Sequence, residues 1–197
     1  MAEEFARTEL LIGEEGLCRL REASVMVLGA GGVGSHCIEA LARGGIGRLI
    51  LVDSDKVAVT NINRQSIALH STVGQYKTRV MKTKIADISP QTEVVTYELF
   101  ILPENIDEIF QEKPDYIVDA VDTVTAKLAA AEKAREYGIP LISCMGTGNK
   151  LHAELFEITD ISKTSVCPLC KVMRKELRAR GIEHLKVLYS KEKPFRV

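Results

Sequence analysis

The chain has 197 residues, 46% of them apolar and 27% charged, with 26 basic side chains against 27 acidic ones. That length holds one compact domain, and the composition excludes a fibrous or a disordered chain. No stretch approaches the ~18 uninterrupted apolar residues of a membrane span, no signal-peptide pattern opens the sequence, and five irregularly placed cysteines make no secreted disulfide framework, so a reducing cytoplasm is the expected compartment.

Apolar runs rich in Val, Ile and Leu alternate with helical patterns. This predicts an α/β fold: a Rossmann-like, doubly wound, mostly parallel sheet with helices on both faces. Ser24 to Gly29 reads as a buried strand, followed by glycines and a helix with Val33, Cys37, Ile38 and Leu41 inward that stops at Gly44-Gly45. Arg48 to Asp53 is the second strand. A polar stretch from Asp55 to His70 leads to a helix from about Gln75 to Ile88, closed by Pro90. Glu93 to Tyr97 is the third strand, and Pro103 to Phe110 a short helix with proline near its start. Tyr116 to Asp119 is the fourth strand, Thr123 a candidate cap for a helix to Tyr137, and Gly138 its stop. Pro140 to Cys144 returns to the sheet, Leu151 to Ile158 alternates as a later strand, and Pro168 to Arg180 is a basic helix ended by Gly181. No repeat or long linker divides the chain, so residues 1–197 are read as a single nucleotide-binding domain.

Gly29-Ala-Gly31-Gly32-Val-Gly34 fits G-x-G-x-x-G between a predicted strand and a predicted helix. There the pattern has a mechanism: the backbone can approach a phosphate, and the helix start offers it free N–H groups. Asp53 ends the next strand 19 residues after Gly34, where a carboxylate can take a ribose hydroxyl. These features suit NAD and ATP alike. The following residues, Asp55, Asn61, Arg64, Gln65 and Lys77, favour ATP. A hydride-transferring enzyme has little use for two cations at one mouth, whereas cleaving a triphosphate must offset charge on the departing pyrophosphate. Asp122, at the end of another strand, can hold the accompanying Mg²⁺.

Arg7 before Leu10-Leu-Ile-Gly13, the glycine loop, Asp53-x-Asp55, Asn61-x-x-Arg64-Gln65, Gly74-x-x-Lys77 and Asp122 stand in an order that resembles the E1-like adenylating superfamily of ThiF, MoeB and the ubiquitin-activating enzymes. The resemblance runs from Arg7 to about Lys193. Within that superfamily, Asp160 to Thr164, Cys167-Pro-Leu, Val172 to Gly181 and Val187 to Pro194 are similar to the tRNA threonylcarbamoyladenosine dehydratase branch (TcdA, CsdL). The resemblance implies that Asp53 binds the ATP ribose, that Asn61, Arg64 and Lys77 hold its phosphates, and that Asp122 binds Mg²⁺. It further implies a homodimer in which Arg7 reaches into the neighbouring subunit's site. The implied reaction adenylates the threonine carboxylate of N6-threonylcarbamoyladenosine at tRNA position 37; the carboxyl is then attacked from within the modification, closing a ring. A cysteine-desulfurase or sulfur-carrier partner and a further C-terminal segment are also implied.

Cys167-Pro-Leu-Cys170 has the spacing of half a zinc site, or of a redox pair at a helix start. Cys18, Cys37 and Cys144 fall where buried apolar cysteine is the default. His36, His70, His152 and His184 show no ligand spacing, and Gly146 to Gly148 is a loop that could approach substrate. From Lys171 onward nine basic residues face three acidic ones, a charge of +6 that leaves −7 on the rest. Lys171, Arg174, Lys175 and Arg178 recur at helical spacing, either as a polyanion-binding side or as a merely solvated one. Three other functions compete with the dehydratase: adenylation of the C-terminal glycine of a ubiquitin-like sulfur carrier, NAD-dependent oxidoreduction, and nucleotide sensing without catalysis.

Overall fold

The structure, a computed structural model, describes residues 3–193; Pro194, the end of the last motif, lies outside them. Helix α1 (Ala6–Glu22) leads into strand β1 (Ser24–Leu28), α2 (Gly34–Gly44) and β2 (Arg48–Val52). After a long crossover come α3 (Lys77–Ile88), β3 (Glu93–Tyr97), α4 (Ile106–Phe110), β4 (Tyr116–Asp119), α5 (Val124–Tyr137) and β5 (Leu141–Cys144). The chain closes with β6 (Phe156–Asp160), α6 (Pro168–Ala179) and β7 (Lys186–Ser190). The seven strands lie in the order β3-β2-β1-β4-β5-β7-β6. All pairings are parallel except that of β6 with β7. No helix among the described residues is long and apolar enough to cross a membrane.

Successive strand residues point to opposite faces, which divides the core in two. Val25, Val27, Leu49 and Leu51 meet Ile38 and Ala42 of α2 and Met81 and Ile85 of α3. Met26, Leu28, Ile50 and Val52 meet Ile106, Ile109 and Phe110 of α4 and an alanine face of α5, Ala126, Ala129, Ala130 and Ala134. Both faces are covered, so the strands read as continuous apolar runs rather than alternating ones. The order reverses between β1 and β4. At such a switch point the loops leaving the two carboxyl ends diverge and open a crevice.

Several sequence expectations shift. Helix α3 begins at Lys77 rather than Gln75. The helix α4 begins at Ile106 rather than Pro103, because the Asn105 side-chain oxygen accepts the Leu102 N–H at 2.9 Å and holds the preceding residues in a turn. Thr123 precedes α5 but its hydroxyl does not cap it. The strand expected over Leu151 to Ile158 starts later and ends later, at Phe156–Asp160: the N–H groups of Leu151 and His152 bond the Glu192 carboxylate at 3.0 Å instead of a neighbouring strand. Cys18 is exposed rather than buried. Helix α1 and strand β7, whose bounds the sequence reading does not set, frame the two ends. Strand β7 buries Val187 and Tyr189. Helix α1 buries Leu17 but leaves Leu10 and Leu11 86% and 87% exposed, with a break at Gly13 between the two parts.

Candidate active site

The crevice at the switch point is a cleft of about 930 Å³. Its floor is the loop from β1 to α2. Gly29 has φ +89°, and a Cβ there would stand 2.9 Å from the Ala120 carbonyl oxygen, so only glycine lets the β1 and β4 ends lie so close. A Cβ at Gly34 would stand 1.8 Å from the Gly29 carbonyl oxygen, and it is this absent side chain that allows α2 to start directly against the loop. Gly31 and Gly32 face the cleft, and their bare backbone leaves room for a ligand over the N-terminal turn of α2. The Asp53 carboxylate fixes this floor: it accepts the Ala30 N–H at 2.7 Å and the Asp55 N–H at 2.8 Å.

The crossover from β2 to α3 supplies the polar wall. Residues 55–57 run beside 74–77, tied by Val57 N–H to the Gln75 oxygen (2.8 Å), Gly74 N–H to the Val57 oxygen (2.8 Å) and Lys77 N–H to the Asp55 oxygen (3.0 Å). This fold-back returns Lys77 to the mouth of β2. Its ammonium lies 2.7 Å from Asp55 Oδ2 and 3.9 Å from Asp53 Oδ2, and its side chain is only 7% exposed. The turn between the two segments is organised by Asn61, whose carbonyl accepts the N–H groups of Arg64 and Gln65 and whose side chain accepts that of Ala58 at 3.0 Å. Arg64 lies over Gly32 and its guanidinium donates to the Thr60 oxygen at 2.9 Å. Gln65 is buried, and its side-chain oxygen has no hydrogen-bond partner among the described residues.

The opposite wall comes from the ends of β4 and β5. Asp122 is exposed on it and forms no hydrogen bond or ion pair among the described residues. Beneath it lies a group the sequence reading misses. Lys127 of α5 is 1% exposed, and its ammonium donates to Asp119 (3.1 and 3.2 Å), Ser143 Oγ (3.4 Å) and the Cys144 carbonyl (2.6 Å). Asp119 also accepts the Ser143 hydroxyl and, at 3.2 Å, the Val121 N–H. One buried ion pair thereby ties together the two strand ends and the backbone leading to Asp122. A lysine amid the alanines of α5 was the available signal. Leu99, Phe100 and Ile101 after β3 add an apolar side that no motif announces, while Gly146 to Gly148 line the cleft as one of their two expected readings allows.

Cys167 and Cys170 start α6 behind Gly146. The Cys167 sulfur accepts a hydrogen bond from the Cys170 thiol, which, with the N–H groups of Cys170, Gly146 and Leu169, brings its pKa down to about 5 despite burial. The same hydrogen bond, then burial, pushes the Cys170 thiol up. Among the described residues no group of three His, Cys, Asp or Glu is placed to hold a metal.

Gly29, Gly31, Gly32, Asp53, Asp55, Asn61, Arg64, Gln65, Lys77 and Asp122 thus meet around one cleft. Gly34 underlies the floor, and Arg7 stands apart, exposed on the first turn of α1. The arrangement suits a polyphosphate: two cations and a helix start lie on one side, with an uncommitted carboxylate across from them. That carboxylate cannot hold Mg²⁺ by itself. It suits an ion that arrives with the phosphates and keeps most of its oxygen ligands from them and from water.

Comparison with known proteins agrees with this geometry. Residues 5–184 match the model of the ThiF family. A tRNA threonylcarbamoyladenosine dehydratase from Bacillus subtilis is 48% identical over 195 residues, which is 98% of this chain and 77% of that protein. One of the same name from Escherichia coli is 38% identical over 175 residues, 89% of this chain and 65% of the relative. The crystal structure of E. coli TcdA in complex with ATP superposes with a TM-score of 0.93 at 35% identity, covering 98% of this chain and 82% of that one. The chain spans about two thirds to three quarters of the length of these two bacterial relatives. Its glycine loop, its switch-point cleft and its likeness over nearly all its length agree: the chain belongs to the ThiF family.

Proposed function

We propose that this chain is an ATP-dependent tRNA threonylcarbamoyladenosine dehydratase, working as one nucleotide-binding unit in the cytoplasm. A carboxylate oxygen of the threonine attacks the α-phosphorus of ATP, forming an acyl-adenylate and releasing pyrophosphate. A nucleophile within the modification then attacks the acyl carbon, AMP leaves with its electron pair, and the ring closes with net loss of water. The observation that carries this reading is Lys77, nearly buried, fixed by two carboxylates and facing the glycine loop across from the free Asp122. An ammonium held in advance costs little to reorganise when charge develops on the leaving pyrophosphate.

In this reading Arg64 and Asn61 hold phosphates beside Lys77. Asp53, with both oxygens already accepting backbone N–H groups, presents its remaining lone pairs to the ribose. Asp122 takes the Mg²⁺ that accompanies the nucleotide. The exposed Leu10, Leu11 and Ile12 favour a homodimer through the first part of α1, which would bring Arg7 to the partner's cleft.

Pyrophosphate exchange into ATP tests the assignment. Exchange should require tRNA carrying N6-threonylcarbamoyladenosine and should not be supported by a ubiquitin-like protein ending in glycine. The opposite pattern would move the chain to sulfur-carrier adenylation, and exchange with neither would remove the adenylating role.

A further inference from the structure

Helix α6 turns Cys170, Met173 and Leu177 inward. Its outer side carries Lys171, Lys175 and Arg178, spaced i, i+4 and i+7, all exposed. The helix's other cations are committed. Arg174 donates to the Thr164 carbonyl at 2.9 Å and to its hydroxyl, which takes it out of the row that sequence spacing alone suggests. Arg180 pairs with Glu176 at 2.9 Å and with Glu132 at 3.3 Å. Glu176, the one acidic residue within α6, is therefore paired with Arg180 and not with this row. The side chains of Lys171, Lys175 and Arg178 have no ion pair or hydrogen bond among the described residues.

The row also has a direction. Leu169, in the first turn of α6, lines the cleft. Lys171 follows two residues on, and Arg178 stands about 10 Å further along the axis at the helical rise of 1.5 Å per residue. Three uncommitted cations thus lead away from the site where the reacting nucleotide must sit. The half-exposed Val172 lies beside them.

We propose that this side of α6 is the docking surface for the phosphate backbone of the tRNA, beside the nucleotide held in the cleft. The inference rests on the dehydratase reading. Its warrant is charge complementarity: the three cations gain most from a polyanion, and each phosphate they neutralise releases condensed counterions. Base identity is left to the cleft, since phosphate contacts position a nucleic acid without reading it.

The test uses the whole chain and two triple variants, Lys171→Gln/Lys175→Gln/Arg178→Gln and Lys171→Glu/Lys175→Glu/Arg178→Glu. Binding of tRNA carrying N6-threonylcarbamoyladenosine is measured as a function of salt, and ATP binding by calorimetry. At about 0.7–0.9 per phosphate, the glutamine variant should lose about 2 to 3 from its log–log salt slope and about 10²-fold in affinity near 0.1 M salt. The glutamate variant should lose more, and ATP affinity should not change in either. If the parent binds this tRNA and both variants keep its affinity and salt slope, the docking surface is overturned while the dehydratase reading stands. If the parent neither binds nor modifies the tRNA, the dehydratase reading fails and the docking surface with it.

Discussion

The two walls of the cleft use charge in opposite ways. On the crossover side, Lys77 and Arg64 are fixed by local hydrogen bonds at the mouth, where a ligand can reach them. On the side of β4 and β5, Lys127 and Asp119 lie wholly inside and spend their hydrogen-bonding capacity on each other and on nearby backbone. The first arrangement offers charge to a ligand. The second removes charge from water to fix where a neighbour stands, so that Asp122 is presented by a rigid strand end. A charged residue near an active site thus acts through its burial as much as through its sign.

Breaking the buried pair should have the largest effect. Lys127→Met leaves the Asp119 carboxylate buried and unpaired, and removal of one partner of such a pair costs about 3–5 kcal/mol. Denaturant unfolding should show that loss, and Asp119→Leu combined with Lys127→Met should recover most of it. A double variant no more stable than the single one would mean that the hydrogen bonds to Ser143 and Cys144 outweigh the ion pair. At the mouth the reverse is expected. Asp122→Ala or Arg64→Ala should lower pyrophosphate exchange by about 10²–10³ while the unfolding midpoint stays at the parent value. Normal exchange in either would remove that residue from the assignment.

A mixed dimer sharpens the comparison by asking whether a third charge arrives from outside the chain. Equal amounts of Arg7→Ala and Lys77→Ala subunits, each inactive alone, should recover about a quarter of the activity if Arg7 serves the partner's site. Half the dimers are then mixed, each with one intact site of two. No recovery would confine Arg7 to its own subunit's site, and an active Arg7→Ala protein would exclude it from catalysis.

The remaining test concerns Cys167, behind the loop at Gly146. Its thiol titrates near 5 in the folded chain and near 8.5 when unfolded. The unfolded state therefore binds more protons between these values, so this group's contribution to stability grows as pH rises from 5 to 8.5 and is lost as pH falls through 5. Melting temperatures at pH 6, 7 and 8 should show a gap between the parent and Cys167→Ala that widens with pH. A constant gap would mean that the sulfur is neutral in the folded protein.

The sequence reading is strongest where geometry is dictated locally. The glycine loop, the apolar β1 and β2 and the stops at Gly45 and Gly138 each follow from backbone or burial constraints within a few residues. The cleft residues from Asp53 to Lys77 are also legible, because their order along the crossover is a pattern in itself. What escapes is set by distant partners. Asp119 and Lys127 meet eight residues apart in sequence, yet their role is defined by Ser143 and Cys144 on another strand. The shortened β6 depends on Glu192, some forty residues beyond Leu151. Helix α1 is hidden by two glycines and an apolar triplet that faces solvent, so the usual periodicity of a half-buried helix never appears.

Gly13 divides that helix at φ +74° and ψ +171°, a conformation essentially confined to glycine. A Cβ there would touch nothing within 4 Å, so a side chain is excluded by torsion alone and not by crowding. The first two turns therefore run between two anchors, Phe5 buried beside Gly45 and Leu17 further along α1, and Gly13 sets the angle at which the two parts of the helix meet. Substituting Gly13 should displace Arg7 without touching it, so the position of that arginine is encoded in part six residues away from the charge itself.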